Sequence, residues 1–381
     1  MTPPRYLFID DATGAGGDAE HYRNLLNKAD QLQVELTRPD RDTLLVPEAE
    51  LADNIDGFIL DINLSDQTDD DGIRFLGTGA GLAQDLRLLQ ALGPGNERGQ
   101  RPRPVVRLCA AQVFQDYLAG DNSTADIFDL GFDKETIGDF AEAAREKLAV
   151  LPSIYADIEA AQANAADAGH LLGLPADQYA SLHSRFRGAL EAELERKTHE
   201  AVSFLLRQFI DPPGLVINEE LLAIRLGIDR IQSEGWGKVR DHFAPARYTG
   251  TGGAVFSRWW TSIIMTQWAE ISTIPLFKLS AEQRVAAQKE KGFTDLAPLV
   301  SDARSPGEFM WLLSTSPDPD LRLPVDPRFG FSVNNPLAPW LDEVVWCLEM
   351  AKRNRNSPML SEDARLRLKA ALSNAPHEGA G

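Results

Sequence analysis

Three aspartates near the ends of short apolar runs give the strongest chemical signal in the sequence. Asp10 and Asp11 end the first run, RYLFIDDA, and Asp61 lies near the end of DGFILDINL. If both runs are strands of one parallel sheet, their carboxyl ends lie at the same edge, where ligand sites form. Three carboxylates there would bind Mg²⁺, a hard cation that prefers oxygen ligands. Beside such a cation, a carboxylate can attack a phosphorus centre.

The elements that must position these acids follow from the pattern of apolar runs. Residues 5–12, 33–38, 56–64 and 104–111 are strand candidates, and 20–32 has a helical composition. Residues 93–104 are rich in Gly, Pro and Arg, which predicts a loop before the fourth strand. Short apolar strands that alternate with helical segments predict a parallel sheet covered on both faces.

Four motifs in order resemble the receiver domain of bacterial response regulators: IDD, DGFILDINL, PVVRLCAA and the lysine of GFDKE. The resemblance covers about residues 4–140 and implies an α/β fold with a doubly wound, five-stranded parallel sheet. It also implies two-component signalling: a phosphorelay in which this phosphoprotein meets a histidine kinase or an associated signalling protein. Self-phosphorylation and dephosphorylation would then be its enzymatic activity.

The resemblance assigns a role to each matching position. Asp10 and Asp11 match the acidic metal-binding pair, and Asp61 matches the phosphoryl acceptor. Asn63 matches the residue whose backbone carbonyl completes the Mg²⁺ site, and Lys134 matches the lysine that contacts the phosphoryl group. Asp71-Gly72 resembles the turn that usually follows the acceptor strand.

The sequence also departs from the receiver pattern. Cys109 occupies the switch position, where the family usually has Ser or Thr, and a thiol is only a weak hydrogen-bond donor. Glu135 follows Lys134 where proline is usual, and an acidic run separates the third and fourth strands: Asp66, Asp69, Asp70 and Asp71. Two alternatives stay open: a degenerate receiver that docks a partner without phosphorylation, and an unrelated α/β domain.

Charge and composition limit the classes of partner. The net charge is −19, and the first 150 residues carry 28 acidic against 14 basic side chains. Such a domain repels nucleic acid and membrane surfaces, which favours a protein or a cation as its partner. The apolar runs are too short for a membrane span, and the N-terminus lacks a signal-peptide pattern, so we expect a cytoplasmic protein. Two cysteines agree with a reducing compartment.

The composition changes after the first domain. We predict a receiver-like domain at 1–140, a long helical connector at 141–212 and a mostly α output domain at 213–381. An apolar stripe at helical spacing runs from Leu182 to Phe209 and would need a partner surface, either the output domain or a second copy in a homodimer. All seven tryptophans lie after residue 235.

The output domain resembles no family that we can name. Unusual outputs behind atypical receivers are similar to proteins of bacterial stress and phage-defence systems, by analogy alone. Residues 220–243 resemble a helix-turn-helix, which makes a DNA-binding regulator one alternative, although this segment has no basic excess. An enzyme with an unrecognised C-terminal active site is another. Arg258-Trp259-Trp260 belongs to a polar and aromatic cluster that predicts either a ligand pocket or a tryptophan-rich core.

Overall fold

The structure is a computed structural model of the 381-residue chain. It describes residues 2–13, 17–39, 54–64, 77–93, 100–118, 126–163, 168–335 and 338–373. The chain forms two compact units, the first from Met1–Arg207 with Thr249–Phe256, the second from Gln208–Tyr248 with Ser257–Gly381. The predicted boundaries at residues 140 and 212 stay predictions.

A five-stranded parallel sheet forms the centre of the first unit, which confirms the prediction of an α/β region with parallel strands. The strand order is β2-β1-β3-β4-β5. All four residues of the middle strand β3 are buried, so the sheet is covered on both faces there. The strands are β1 Arg5–Ile9, β2 Gln33–Thr37, β3 Gly57–Leu60, β4 Val105–Cys109 and β5 Leu130–Asp133.

Helices surround this sheet and continue beyond it in the first unit. The second helix begins at a side-chain cap, where the backbone N–H of Gly81 donates to Thr78 Oγ1 at 3.1 Å. Its apolar face packs on the central strands through Ala83 and Leu86. The helices are α1 Asp18–Leu26, α2 Gly79–Leu92, α3 Ala111–Leu118, α4 Ala141–Ala163, α5 Ala168–Leu171, α6 Ala176–Ser181, α7 Ser184–Leu194 and α8 Thr198–Leu205.

A proline inside α4 helps to fix that helix to the first strand. Pro152 has no N–H, so the carbonyl of Leu148, four residues earlier, loses its helical donor. The buried hydroxyl of Tyr6 donates to this carbonyl at 2.8 Å. The carbonyl that Pro152 leaves without a helical donor therefore links α4 to β1.

A buried ion pair connects α2, α4 and the sheet. The Arg87 guanidinium contacts Asp129 at 2.9 Å, and both side chains are at least nine-tenths buried. The same guanidinium donates to Gln90, and the hydroxyl of Tyr155 on α4 donates to Asp129. Asp129 also accepts the backbone N–H of Val105 at the start of β4. Every charge in this network therefore has a partner, as burial requires.

The predicted stripe from Leu182 to Phe209 does not lie on one continuous helix. The chain is extended at Leu182 and again at Lys197, which separates α6, α7 and α8. The stripe residues Leu182, Phe186, Leu190, Val202, Leu205, Leu206 and Phe209 are buried within the chain itself. These residues are thus covered without a second copy of the chain, and the homodimer stays a prediction.

The second unit is helical with short two-residue strands and long connecting loops. A π-helical turn, Leu206–Ile210, leads into it. Its helices are α9 Glu219–Arg225, α10 Trp236–His242, α11 Thr261–Ile271, α12 Ala281–Glu290, α13 Leu348–Arg353 and α14 Glu362–Ser373. Its strands are β6 Val216–Ile217, β7 Trp259–Trp260, β8 Leu312–Leu313, β9 Pro324–Val325, β10 Phe331–Ser332 and β11 Val345–Trp346.

The predicted helix-turn-helix near 220–243 does not form. Ten residues separate α9 from α10, whereas that motif joins its helices through a turn of three or four. The intervening segment instead pairs with a distant loop. Ile228 forms a β-bridge with Pro298, and the backbone N–H of Asp229 donates to the carbonyl of Ala297. The DNA-binding alternative therefore loses the motif on which it depended.

A short piece of the C-terminal sequence belongs to the first unit. Thr249–Phe256 packs there, where the Thr251 hydroxyl donates to Asp157 on α4 at 2.5 Å. The backbone N–H of Thr251 donates to the carbonyl of Leu171. Gly250 and Gly253 belong to a packed turn, in which the backbone N–H of Gly253 donates to the carbonyl of Gly250 at 2.9 Å. Among the described residues, no helix is both long and apolar enough to cross a lipid bilayer.

The buried ion pair generates a stability prediction. Asp129→Asn leaves the Arg87 charge without a carboxylate, and we expect the free energy of unfolding to fall by about 3 kcal/mol. Urea denaturation followed by circular dichroism measures it. Glu35→Gln is the matched control, because the Glu35–Arg5 pair is exposed on the same sheet and should contribute little. Equal effects of the two substitutions would contradict the assignment.

Candidate functional site

Strand register brings the three aspartates together at the carboxyl edge of the sheet. Ile9 of β1 lies beside Leu60 of β3, and each is the last residue of its strand. Asp10 and Asp61, the next residues, are therefore neighbours, and the N–H of Asp61 donates to the carbonyl of Ile9 at 3.0 Å. Carboxylate oxygens of Asp10, Asp11 and Asp61 lie within 4.8 Å of one another, and all three residues are buried.

Lys134 places its ammonium group between two of these carboxylates. Its Nζ lies 2.9 Å from Asp10 Oδ2 and 3.0 Å from Asp61 Oδ2. The lysine follows β5, and its backbone N–H donates to the carbonyl of Cys109. Asp133 fixes the turn, since its Oδ1 accepts N–H groups from Ala111 and Glu135. The predicted residues Asp10, Asp11, Asp61 and Lys134 therefore meet at one point.

The electrostatics of this cluster are strongly coupled. Burial raises the pKa of Asp61; Lys134 lowers it, Asp10 raises it, and the net pKa lies above the ordinary value of a carboxyl. Burial lowers the pKa of Lys134, but the charges of Asp61 and Asp10 outweigh burial and raise that pKa overall. Two of the carboxylates, Asp10 and Asp61, share the single ammonium group of Lys134, so these three groups keep an excess of negative charge when all are ionised.

Backbone groups orient the acid side chains. Asp61 Oδ1 accepts the N–H of Ile62 at 2.7 Å, and Asp10 Oδ1 accepts the N–H of Ala12 at 2.9 Å. Asn63 forms an isolated β-bridge with Thr78, just before α2, and its side chain is exposed. The role of its backbone carbonyl as a metal ligand stays a prediction.

Gly79, the first residue of α2, lies directly against the strand end that carries Asp61. A Cβ atom at position 79 would come within 1.7 Å of the backbone oxygen of Asp61. The Gly79 N–H donates to the carbonyl of Ile62 at 2.9 Å. Only a residue without a side chain lets the helix begin this close to the candidate acceptor.

Cys109, the predicted switch position, contacts a cation. Cys109 is buried, and burial raises the pKa of its thiol. Arg107 donates to Cys109 Sγ at 3.4 Å and stacks over the ring of Phe114 on α3, 3.6 Å from the ring centre. The guanidinium lies where Gly131 leaves room, since a Cβ at position 131 would come within 2.3 Å of it. The guanidinium of Arg107 thus contacts the thiol of Cys109.

Sequence reasoning missed three residues around the site. Gly79 and Arg107 are two of them, and Tyr22 is the third, with its ring centre 5.5 Å from Lys134 Nζ. A cation-π signal of this kind depends on non-local folding and is not visible in the sequence. Asp66, Asp69, Asp70, Asp71 and Gly72 lie outside the described residues.

Comparisons with known proteins add little to this geometry. No family model matches the chain, and no curated protein matches it. One matching solved structure is a fusion that contains the yeast Spc42 trimeric coiled coil, with 17% identity and a TM-score of 0.27. The match covers 51% of this chain and 94% of that chain. A similarity at this TM-score carries no argument about fold or function.

Two glycines on the same helix give a matched test of the close contact. Gly79→Ala should lower the free energy of unfolding by about 1–3 kcal/mol, because the methyl group collides with the backbone of Asp61. Gly81→Ala should raise stability by up to about 1 kcal/mol, because its Cβ meets only Thr78 Oγ1 at 3.4 Å. Urea denaturation measures both. Effects of the same sign would refute the contact.

The raised pKa of Asp61 generates a pH prediction. The folded protein binds this proton more tightly than the unfolded chain, so ionised Asp61 lowers stability at neutral pH. In metal-free buffer, Asp61→Asn should therefore raise the unfolding midpoint at pH 7, while Lys134 keeps Asp10 as a partner. The gain should shrink as the pH falls through the folded pKa of Asp61 towards its ordinary value.

Thermal or urea denaturation between pH 7 and pH 3 measures the effect. Asp85→Asn serves as the control, since this aspartate is exposed on α2 and its substitution should leave the profile unchanged. A destabilised Asp61→Asn protein at pH 7 would show that the ion pair with Lys134 outweighs burial.

Proposed function

We propose that the first unit is a receiver domain that accepts a phosphoryl group on Asp61 and thereby controls the C-terminal part of the chain. The observation that carries this proposal is the position of Lys134 Nζ, within 3.0 Å of both Asp10 and Asp61. The strand order 2-1-3-4-5 supports it, because doubly wound folds of this order bind ligands at the carboxyl ends of their strands.

The acid cluster fits a divalent metal ion. Asp10, Asp11 and Asp61 supply oxygen donors only, with an excess of negative charge that a cation would offset. The Asn63 backbone carbonyl is the proposed fourth protein ligand. Mg²⁺ bound by these groups would offset charge on the phosphoryl oxygens.

The residues of the chain then have distinct tasks in phosphoryl transfer. An Asp61 carboxylate oxygen forms a bond to phosphorus, the bond to the donor's leaving group breaks, and the leaving group keeps the electron pair. The product is an acyl phosphate on Asp61. The N–H of Ile62 holds the other carboxylate oxygen in position. Lys134, which pairs with the carboxylates before transfer, pairs with the new phosphoryl oxygens afterwards.

The surroundings of Cys109 support an atypical response to phosphorylation. A buried thiol that accepts from Arg107 is a poor donor to a phosphoryl group. The partner proposed for the domain is a histidine kinase or an associated signalling protein, and docking without phosphorylation is the second candidate. Cytoplasmic location and a place in bacterial stress or phage defence belong to the same proposal.

Phosphorylation can be tested on the intact chain. With Mg²⁺ and a small acyl phosphate donor, we expect intact-mass measurement to show one added phosphoryl group. Asp61→Asn should abolish the adduct, because an amide has nearly the same shape but is a far poorer nucleophile. Asp85→Asn, an exposed aspartate on α2, should leave it intact.

Two further measurements distinguish a receiver that is phosphorylated from a domain that only docks a partner. Removal of Mg²⁺ should suppress the adduct, and Lys134→Met should reduce it, although circular dichroism should show that the variant is folded. An adduct that survives Asp61→Asn, or no adduct on the wild type with any donor, contradicts phosphoryl transfer. The domain would then be a degenerate receiver that docks a partner.

A further inference from the structure

The second unit contains a cavity of about 270 Å³ whose polar lining is dominated by cations and hydroxyl groups. Arg258 and Arg322 line it, together with the consecutive hydroxyl side chains of Ser314, Thr315 and Ser316. Asp211 is the carboxylate among the lining residues. All of these residues belong to the second unit, so the cavity is distinct from the acid cluster around Asp61.

Arg258 is a largely buried cation that is only partly compensated. Its Nε donates to the carbonyl of Ile210 at 2.6 Å, and its Nη1 donates to the carbonyl of Ser257 at 3.1 Å. Nη2 lies 3.6 Å from Asp211, whose side chain is 51% exposed while that of Arg258 is 17% exposed. Burial lowers the pKa of Arg258, and Asp211 offsets this only in part. An anion in the cavity would complete the compensation.

The hydroxyl groups add donors at the same cavity. Ser314 Oγ accepts the N–H of Cys347 at 2.9 Å, and no acceptor among the described residues takes its own hydrogen. Ser316 Oγ accepts the N–H of Asp318, and its hydroxyl donates to Met350 Sδ at 3.6 Å, a weak acceptor that an oxyanion could replace. The Thr315 side chain is exposed, while its backbone N–H donates to the carbonyl of Val345. Hydroxyl hydrogens rotate, so these groups can adapt to an oxyanion.

Arg322 provides a second cation with freedom to move. Its guanidinium lies 3.3 Å from Glu220, and both side chains are at least 40% exposed. An exposed pair of this kind contributes little to stability, so its guanidinium can exchange the carboxylate for a ligand. Arginine binds the oxygens of phosphate or carboxylate groups through two parallel N–H groups, which favours such an oxyanion over a spherical ion such as chloride.

We propose that this cavity, lined by Arg258, Arg322 and Ser314–Ser316, binds phosphate, either free or as the terminal group of a small metabolite. Arg258 supplies the fixed charge, Arg322 closes on the exposed side, and the hydroxyls donate to the remaining oxygens. The volume suits a small phosphorylated molecule rather than a complete nucleotide. The site is independent of the phosphoryl transfer proposed for Asp61.

Calorimetric titration of the intact chain tests the proposal, with inorganic phosphate and glycerol 3-phosphate as probes. The buffer lacks Mg²⁺, and sodium chloride keeps the ionic strength constant. We expect saturable binding of phosphate at millimolar concentration or below. Tighter binding of glycerol 3-phosphate would identify an organic phosphate as the ligand, and tighter binding of inorganic phosphate would identify the free ion.

Two substitutions with opposite expected effects on phosphate affinity make the test specific. Arg322→Gln should weaken binding about tenfold or more, whereas Asp211→Asn should strengthen it several-fold because a competing carboxylate is removed. Arg230→Gln, at an exposed arginine of the same unit, should leave the affinity unchanged, and so should Asp61→Asn. Arg322→Gln avoids the backbone contacts of Arg258 and should fold normally.

The proposal is overturned if wild-type protein shows no saturable phosphate binding at 10 mM, a concentration well above the roughly millimolar weak-binding range. It is also overturned if Arg322→Gln and Asp211→Asn both bind like the wild type. Binding that changes in Asp61→Asn but not in Arg322→Gln would place the phosphate at the acid cluster instead.

Discussion

Mutual repulsion of three buried carboxylates is the constraint on which the candidate site depends. Asp10, Asp11 and Asp61 share one sheet edge, and carboxylates at such separations cannot all ionise without nearby positive charge. Lys134 supplies that charge to Asp10 and Asp61. The surrounding structure keeps the three carboxylates and the ammonium group at fixed positions despite the repulsion.

Several local features serve that purpose. The register of β1 and β3 fixes Asp10 beside Asp61. The side chain of Asp133 accepts the N–H of Glu135 and so fixes the turn that contains Lys134. Gly79 lets a helix start against the backbone of Asp61. Farther away, the Arg87–Asp129 pair and the Tyr6–Leu148 hydrogen bond hold α2 and α4 to the sheet. A rigid frame of this kind lets a charged site persist without collapsing into alternative pairings.

The sequence predicted the parts of this arrangement that depend on local patterns. Apolar runs that end in Asp10 and Asp61 identify strands, and parallel strands bring their ends together, so the acid cluster could be predicted. Contacts between distant segments could not. The pairing of Asp229 with Ala297 prevents the helix-turn-helix that residues 220–243 suggest. Likewise, short non-helical breaks at residues 182–183 and 195–197 interrupt a helical stripe whose periodicity continues across them. Arg107 looks like an exposed strand residue until Gly131 and Phe114 are placed beside it.

The place of Thr249–Phe256 in the first unit has a consequence for how this protein can be divided. A chain cut near residue 212 would remove eight residues that contact Asp157 on α4 and Leu171 on α5. Neither half would then be a complete folding unit. A gene fusion that exchanged the C-terminal part would leave Asp157 and the carbonyl of Leu171 without the hydrogen bonds that Thr251 donates. The border between the two units therefore crosses the sequence at three places, unlike that of modules joined by a single linker.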